Sequence, residues 1–368
     1  MGRPNKTTSQ KLNLTLFVGL LGMLLAWLPI KAYSQVKVTR VYPYSTGEKG
    51  VTYFLPKSVV KITFTLEKTS YHSGVFAPYA EVLLGESAPL SDAVSYKVQQ
   101  VAIESVGIPD TEQRYAVEFR PQTPASFVTL TREGLLAGIN TEWIPEPPPT
   151  KEQLKKRSAL PRPALPVEYA QATSQAMRAK IAAETLFSFR EDLMLLLTGK
   201  AENAPKDGEA YQETLRFLRD QVSSLEALFY GDSLQENLSR EYLLEPSLEE
   251  SHKAVAYFSP TKGIVNGLAS EEEAIAYHYK VLSVAQPLSP EEEKKRDRRL
   301  DGIVYNVPGL AEVSIVLPDG VTYKRELPIT QLGNRVLLNK EINRNKSDAV
   351  MISFNPATGQ LRAIQESK

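Results

Sequence analysis

From Ala182 to Phe229 the apolar residues stop alternating and step by three and four. Ala182, Leu186, Phe189, Leu193 and Leu196 are spaced 4, 3, 4 and 3, and Tyr211, Leu215, Leu218, Val222, Leu225 and Phe229 are spaced 4, 3, 4, 3 and 4. That period belongs to helices that each bury one face. Gly199 stops the first helix, Asn203 or Ala204 ahead of Pro205 starts the second, and Gly231 stops it. Two such helices fold back as an antiparallel hairpin. At 1.5 Å per residue the first is expected to reach about 45 Å and the second about 35 Å.

On either side the period is two. Val36, Val38 and Val41, then Val51 to Leu55, Val59 to Leu66, Tyr96 to Ile103, Tyr115 to Phe119 and Phe127 to Leu130 are short β-branched or aromatic runs between turn residues. Phe76 to Gly85 breaks the pattern as a short helix closed by Gly85. Beyond the hairpin, Ile275, Tyr277, Tyr279 and Val281 share one face of a strand, with Ala276, His278 and Lys280 on the other. Val313 to Leu317 and Val321 to Arg325 flank Pro318-Asp319-Gly320, and Val350 to Phe354 is followed by Asn355 to Gly359 and a last strand, Gln360 to Ile364; both read as hairpins. The charged run Glu291 to Arg299 reads as a solvated loop or helical turn.

Residues 145–166 hold seven prolines, Pro145, Pro147, Pro148, Pro149, Pro161, Pro163 and Pro166, around the charged run 151–157. Proline lacks the backbone donor and fixes φ, so this stretch reads as a semi-rigid extended linker. At the N-terminus, Arg3, Lys6 and Lys11 precede the apolar run Leu12 to Ile30, and Ala32-Tyr33-Ser34 places small residues where a signal peptidase reads them. Cleavage after Ser34 is expected to release a chain starting at Gln35; retention would make the run a membrane anchor. The expected architecture is therefore α+β: a signal peptide (1–34), a β-rich domain (35–144), the proline-rich linker (145–166), the helical hairpin (167–235) and a second β-rich, sandwich-like domain (236–368).

The chain carries 43 basic and 43 acidic side chains. Residues 1–34 take four basic side chains (Arg3, Lys6, Lys11, Lys31) and no acidic one, which leaves 39 against 43, a formal charge of −4. That balance gives no footprint for nucleic acid or anionic lipid. With no cysteine, disulfide scaffolds, thiolate zinc sites, iron–sulfur clusters and cysteine nucleophiles are ruled out. His72, His252 and His278 lie in separate segments without metal-ligand spacing, so no histidine metal site is expected. Ser58 and Lys61 match a Ser-x-x-Lys pattern, but in a strand an i, i+3 pair points to opposite faces, and lysine cannot serve the serine. Asn343, Asn345 and Asp348 read as turn residues before a calcium loop. Of two tryptophans only Trp143 survives removal of the signal, since Trp27 leaves with it. No nucleophile elbow, phosphate loop or dinucleotide glycine pattern is present. Catalytic, cofactor-binding and metal residues are all expected to be none.

Several local patterns occur together in order. They are Thr52 to Val60, Glu67 to Tyr71, Gly74, Phe76-Ala77, Tyr79-Ala80 and Leu84-Gly85; Phe189-Arg190-Glu191, Leu196 to Gly199, Pro205 to Gly208 and Leu228 to Gly231; then Gly302 to Tyr305, Pro308-Gly309 and Phe354 to Gly359. Together they resemble the family called domain of unknown function 4831, across nearly all of the mature chain. Two stretches depart from it: Glu191-Asp192-Leu193, where more basic and aromatic residues are expected, and 271–300. The resemblance implies secretion by Gram-negative Bacteroidota, to the periplasm or the outer membrane, and carries no assigned activity. The functional expectation is a non-catalytic binding or assembly protein of the cell envelope. A glycan-binding module is one alternative; a carboxylate-dependent glycan hydrolase is another, because paired carboxylates leave no spacing in sequence.

One feature of the hairpin bears on partners. Phe187, Met194, Leu195 and Leu197 add apolar groups to the first helix beyond the stripe that its pairing needs. Either a β domain of the same chain covers them, or an envelope protein or a second copy does.

Overall fold

In the computed structural model of the chain, the described residues are 36–42, 50–119, 127–145, 161–202, 205, 208–266, 273–286, 289, 291–292, 294, 300, 302–338 and 350–366. Residues 1–34 with the expected cleavage site, the charged run 151–157, Asn203, Ala204, Asn343, Asn345 and Asp348 lie outside them, as does most of Glu291 to Arg299.

Two long strands organise the structure. The runs read as separate short strands join into β2 (Val51–His72) and β3 (Ala93–Phe119), which pair antiparallel from Val51↔Val117 to Tyr71↔Ala93. Pro56, where the first run breaks off, faces Pro109 across the ladder just after a register shift, where the regular pairing of β2 and β3 is already interrupted. β1 (Val36–Arg40) adds to the outer edge of β3. The fourth strand of this first sheet is β6 (Asp232–Leu244), which comes from beyond the hairpin and pairs with β2 from His72↔Asp232 to Val60↔Leu244.

The second sheet, in the order β11-β10-β9-β7-β8, uses β7 (Ser251–Ser259), β8 (Gly263–Val265), β9 (Ala274–Ser283), β10 (Ile303–Val316) and β11 (Thr322–Leu338). The third, in the order β13-β12-β5-β4, joins β12 (Val350–Phe354) and β13 (Leu361–Glu366) to β4 (Val128–Leu130) and β5 (Leu136–Ile139). Strands from both sides of the hairpin therefore share two of the three sheets. The limits expected at 144 and 236 mark stretches of sequence rather than closed sheets.

The cores mix in the same way. Val60, Ile62, Phe64, Val101 and Ile103 of the first sheet pack face to face with Ile275, Tyr277, Tyr279, Val313, Ile315 and Ile329 of the second. Tyr53, Leu55, Tyr115 and Val117 join Ile139, Ile352 and Phe354 of the third sheet and Ile303, Val304 and Leu338 of the second. Each such aliphatic or aromatic side chain contributes about 1.5–3 kcal/mol on burial. Buried polar bonds fix the register between layers: Tyr53 Oη donates to the Val304 carbonyl and accepts from its N–H, both at 3.1 Å, and Asn306 Nδ2 donates to the Pro56 carbonyl at 3.0 Å.

The helical part matches the expected hairpin in kind. A 3₁₀ turn (Ala77–Tyr79) and α1 (Ala80–Leu84) fill the 76–85 segment. The first long helix is shorter than expected, because α2 (Val167–Gln171) is separated from α3 (Gln175–Leu197) by Ala172 in extended conformation and by Ser174, whose side chain caps α3 by accepting from the Met177 N–H at 3.2 Å. Gly199, at φ +69°, ends α3 in a Schellman turn, with the Lys200 N–H on the Leu195 carbonyl at 2.9 Å. The second helix, α4 (Gly208–Tyr230), begins three residues after Pro205 and stops before Gly231. Among the described residues no helix is long and apolar enough to cross a membrane.

Candidate functional site

The base of the hairpin is packed against the β body. Ala179, Ala182, Ala183 and Phe229 form one core with Phe76 and Ala80. The Phe76 N–H donates to the Leu228 carbonyl at 2.7 Å, and Tyr71 Oη donates to the Tyr230 carbonyl at 2.7 Å. Gly74 permits this approach: a Cβ there would lie 2.5 Å from the Leu228 carbonyl oxygen.

Further out the surroundings change. Leu186, Val222 and Leu225 still touch Leu84 and Leu165, but among the described residues Leu196, Leu215 and Leu218 cluster with Phe189, Leu193, Ala201 and Tyr211, all from the hairpin and its turn. Eleven residues, Phe187 to Leu197, carry α3 about 16 Å past Leu186. On this distal part Phe187 is 47% exposed, Met194 61% and Leu197 50%. With Ala183 and Arg190 they step by 4, 3, 4 and 3, one position round from the buried stripe, so they form a second apolar line along the helix. Arg190 within that line pairs with Glu226 of α4 at 2.6 Å. Leu195, 37% exposed, points away from the line, and Phe217 of α4 lies edge-on to Phe189, 6.3 Å between ring centroids. The chain's own β sheets do not cover Phe187, Met194 or Leu197 among the described residues. Beside α3, residues 164–168 border an open groove of about 790 Å³ lined by Leu165, Met177, Ile181 and Phe189, held in place by the Ala164 N–H donating to Gln221 Oε1 at 2.6 Å.

The other sequence candidates fall as follows. Ser58 is fully buried in β2 and bonded into β11: its N–H donates to Thr330 Oγ1 at 2.9 Å, its Oγ accepts from the Thr330 N–H at 3.0 Å, and its carbonyl accepts from Gln331 Nε2 at 2.8 Å. Lys61 points elsewhere, to Glu241 at 2.9 Å. Their separation follows from strand alternation, and Ser58 is a link between sheets. Trp143 is half-buried, four residues after β5 ends. His72 is exposed and bonds Asp92 at 3.0 Å; Asp92 also accepts from the Ser73 N–H at 2.8 Å, and these bonds hold its carboxyl below the usual range, the Ser73 bond contributing most.

His252 and His278, which the sequence places 26 residues apart, are brought together. They are direct cross-strand partners of β7 and β9, with Nδ1 atoms 2.7 Å apart. A bulge between Ala254 and Ala256 makes this possible, since it turns Ala256 into the core while His252 and Ala254 face outward beside His278 and Ala276. Reading their chain separation alone missed the pair; the outward alternation of His278 was the available signal. Burial first, then the neighbouring His252 and Lys324, holds the His278 imidazolium below its ordinary pKa. Among the described residues, no group of three or more His, Asp or Glu is placed to hold a metal ion.

Comparison with known proteins returns no matching curated protein and no matching solved structure. A family model does match, over residues 49–362. That span begins two residues before β2, takes in the hairpin and reaches β13, and it contains the ordered patterns from Thr52 to Gly359. The chain belongs to the family described as Domain of unknown function (DUF4831).

Proposed function

We propose that this chain is an exported, non-catalytic binding or assembly protein of the cell envelope, and that it holds a partner protein on the distal half of its helical hairpin. The carrying observation is the line Phe187, Met194 and Leu197, about half exposed on a helix whose other apolar stripe packs against α4 and the body. Exposing three large apolar groups along one helix line, interrupted by Arg190, is unfavourable in water, and such patches mark interaction surfaces. The basic start and apolar run of residues 1–34 support export. The base is anchored to the body, with Phe76 and Phe229 at 5.5 Å between ring centroids.

The test is the variant Phe187→Glu/Met194→Glu/Leu197→Glu, compared with the native protein by chemical cross-linking in envelope preparations and by light scattering after purification. The native protein is expected to be a monodisperse monomer that gives one heavier adduct in the envelope, and the variant to melt alike and lose the adduct. An adduct kept by the variant, or none in either, would overturn the reading. A purified homodimer that the variant breaks would replace the envelope partner by a second copy.

A further inference from the structure

The outer face of the second sheet carries a row of polar side chains across four strands. His252 of β7 lies opposite His278 of β9, His278 opposite Ser314 of β10, and Ser314 opposite Lys324 of β11. A shallow depression of about 550 Å³ opens over this row, bordered also by Glu250 and Glu312. His252 is exposed and His278 half-buried, so both rings reach solvent.

We propose that His252 and His278 form a two-histidine site for a divalent late first-row metal ion of zinc or copper chemistry. Imidazole nitrogen suits these ions, and a bidentate pair leaves the remaining positions to water or to an incoming ligand. The ring centroids are 4.1 Å apart and the planes tilted by 57°. That is closer than an end-on pair with the same Nδ1 contact allows, so the two Nδ1 lone pairs do not lie on one line. Metal–nitrogen bonds of about 2.0–2.1 Å at a tetrahedral angle need the nitrogens about 3.3 Å apart, roughly 0.6 Å wider than they stand, a change within reach of small side-chain rotations.

The proton inventory is compatible. The 2.7 Å between the Nδ1 atoms leaves room for one Nδ1–H between the rings, the donor being set by the tautomer. When the metal enters a neutral pair, the donor ring shifts its proton from Nδ1 to Nε2 through solvent, and both Nδ1 lone pairs become ligands with no net release. A singly protonated pair releases one proton. Lys324 opposes a cation, and Glu312, 3.8 Å from its Nζ, offsets that charge. His72, bonded to Asp92 at the far end of β2, provides an internal control, because the chain has only three histidines.

Untagged protein labelled with ¹⁵N is titrated with ZnCl₂ at neutral pH and followed through its imidazole nitrogens. The ring signals of His252 and His278 are expected to shift together and saturate at one equivalent, while His72 stays still and MgCl₂ moves neither. Either His252→Ala or His278→Ala is expected to weaken Zn²⁺ binding by about tenfold or more, with amide spectra showing the fold intact. Zn²⁺ that leaves both rings unmoved, moves His72 equally, or binds either single variant as tightly as the native protein would overturn the site.

Discussion

The two halves of the hairpin use the same helices and the same periodicity, yet end in opposite environments. At the base the line next to the main stripe holds Ala183, which is buried against the body together with Ala179 and Ala182. In the distal half the same line holds Phe187, Met194 and Leu197, which are open. Small residues let the base approach the 74–84 segment closely, and large ones lie where nothing of the described chain arrives. Helical period shows that both halves fold; side-chain size along the second line shows which half packs inward and which faces out.

The largest contrast is expected from truncating equivalent aromatic groups. Phe229→Ala at the base removes a fully buried ring and is expected to cost about 3–5 kcal/mol in denaturant unfolding. Phe187→Ala in the distal half is expected to change stability by no more than about 0.5 kcal/mol. Equal losses at both positions would erase the distinction.

Leu196→Ala comes next, at about 2–3 kcal/mol. Because its neighbours all belong to the hairpin, faster hydrogen exchange should be confined to the distal turns, with the amides of Ala179 to Ala183 unchanged. Spread of that change into the base would mean that the two halves unfold as one unit. Arg190→Ala removes a half-exposed ion pair with Glu226, and a loss of about 0.2–1 kcal/mol is expected.

The smallest effect concerns the loop between β2 and β3, where bonds from Ser73 and His72 lower the Asp92 pKa from its ordinary 3.8. A carboxylate lowered in the fold binds fewer protons than in the unfolded chain. Its contribution is therefore full above the ordinary value and is lost as pH falls through the lowered one. Asp92→Asn should flatten that part of the acid melting profile slightly; an unchanged profile would mean the bonds contribute nothing.

The helical hairpin was legible because its signals are local: apolar spacing, and Gly199 and Gly231 as stops; the start of α3 at its Ser174 cap went unread. The alternation that buries Tyr277 and Tyr279 and turns His278 outward was legible for the same reason. Sheet membership was not. β6 is an edge strand whose residues are largely exposed, and Asn237, Ser239 and Arg240 give it no clear alternation to announce a pairing with β2. The joining of β2 across Pro56 depends on Pro109 standing opposite, which only the register shows. The meeting of His252 and His278 depends on a bulge one residue wide, and such a slip reverses every side chain's face without changing the composition of the strand.

If the open distal line is a docking face, a photo-cross-linking amino acid placed singly along the hairpin in living cells captures what docks there. Placement at Phe187, Met194 or Leu197 is predicted to give the same single adduct, and placement at Glu213, on the exposed side of α4, to give none. An absence of adducts from the three distal positions, or the same adduct from Glu213, would contradict it.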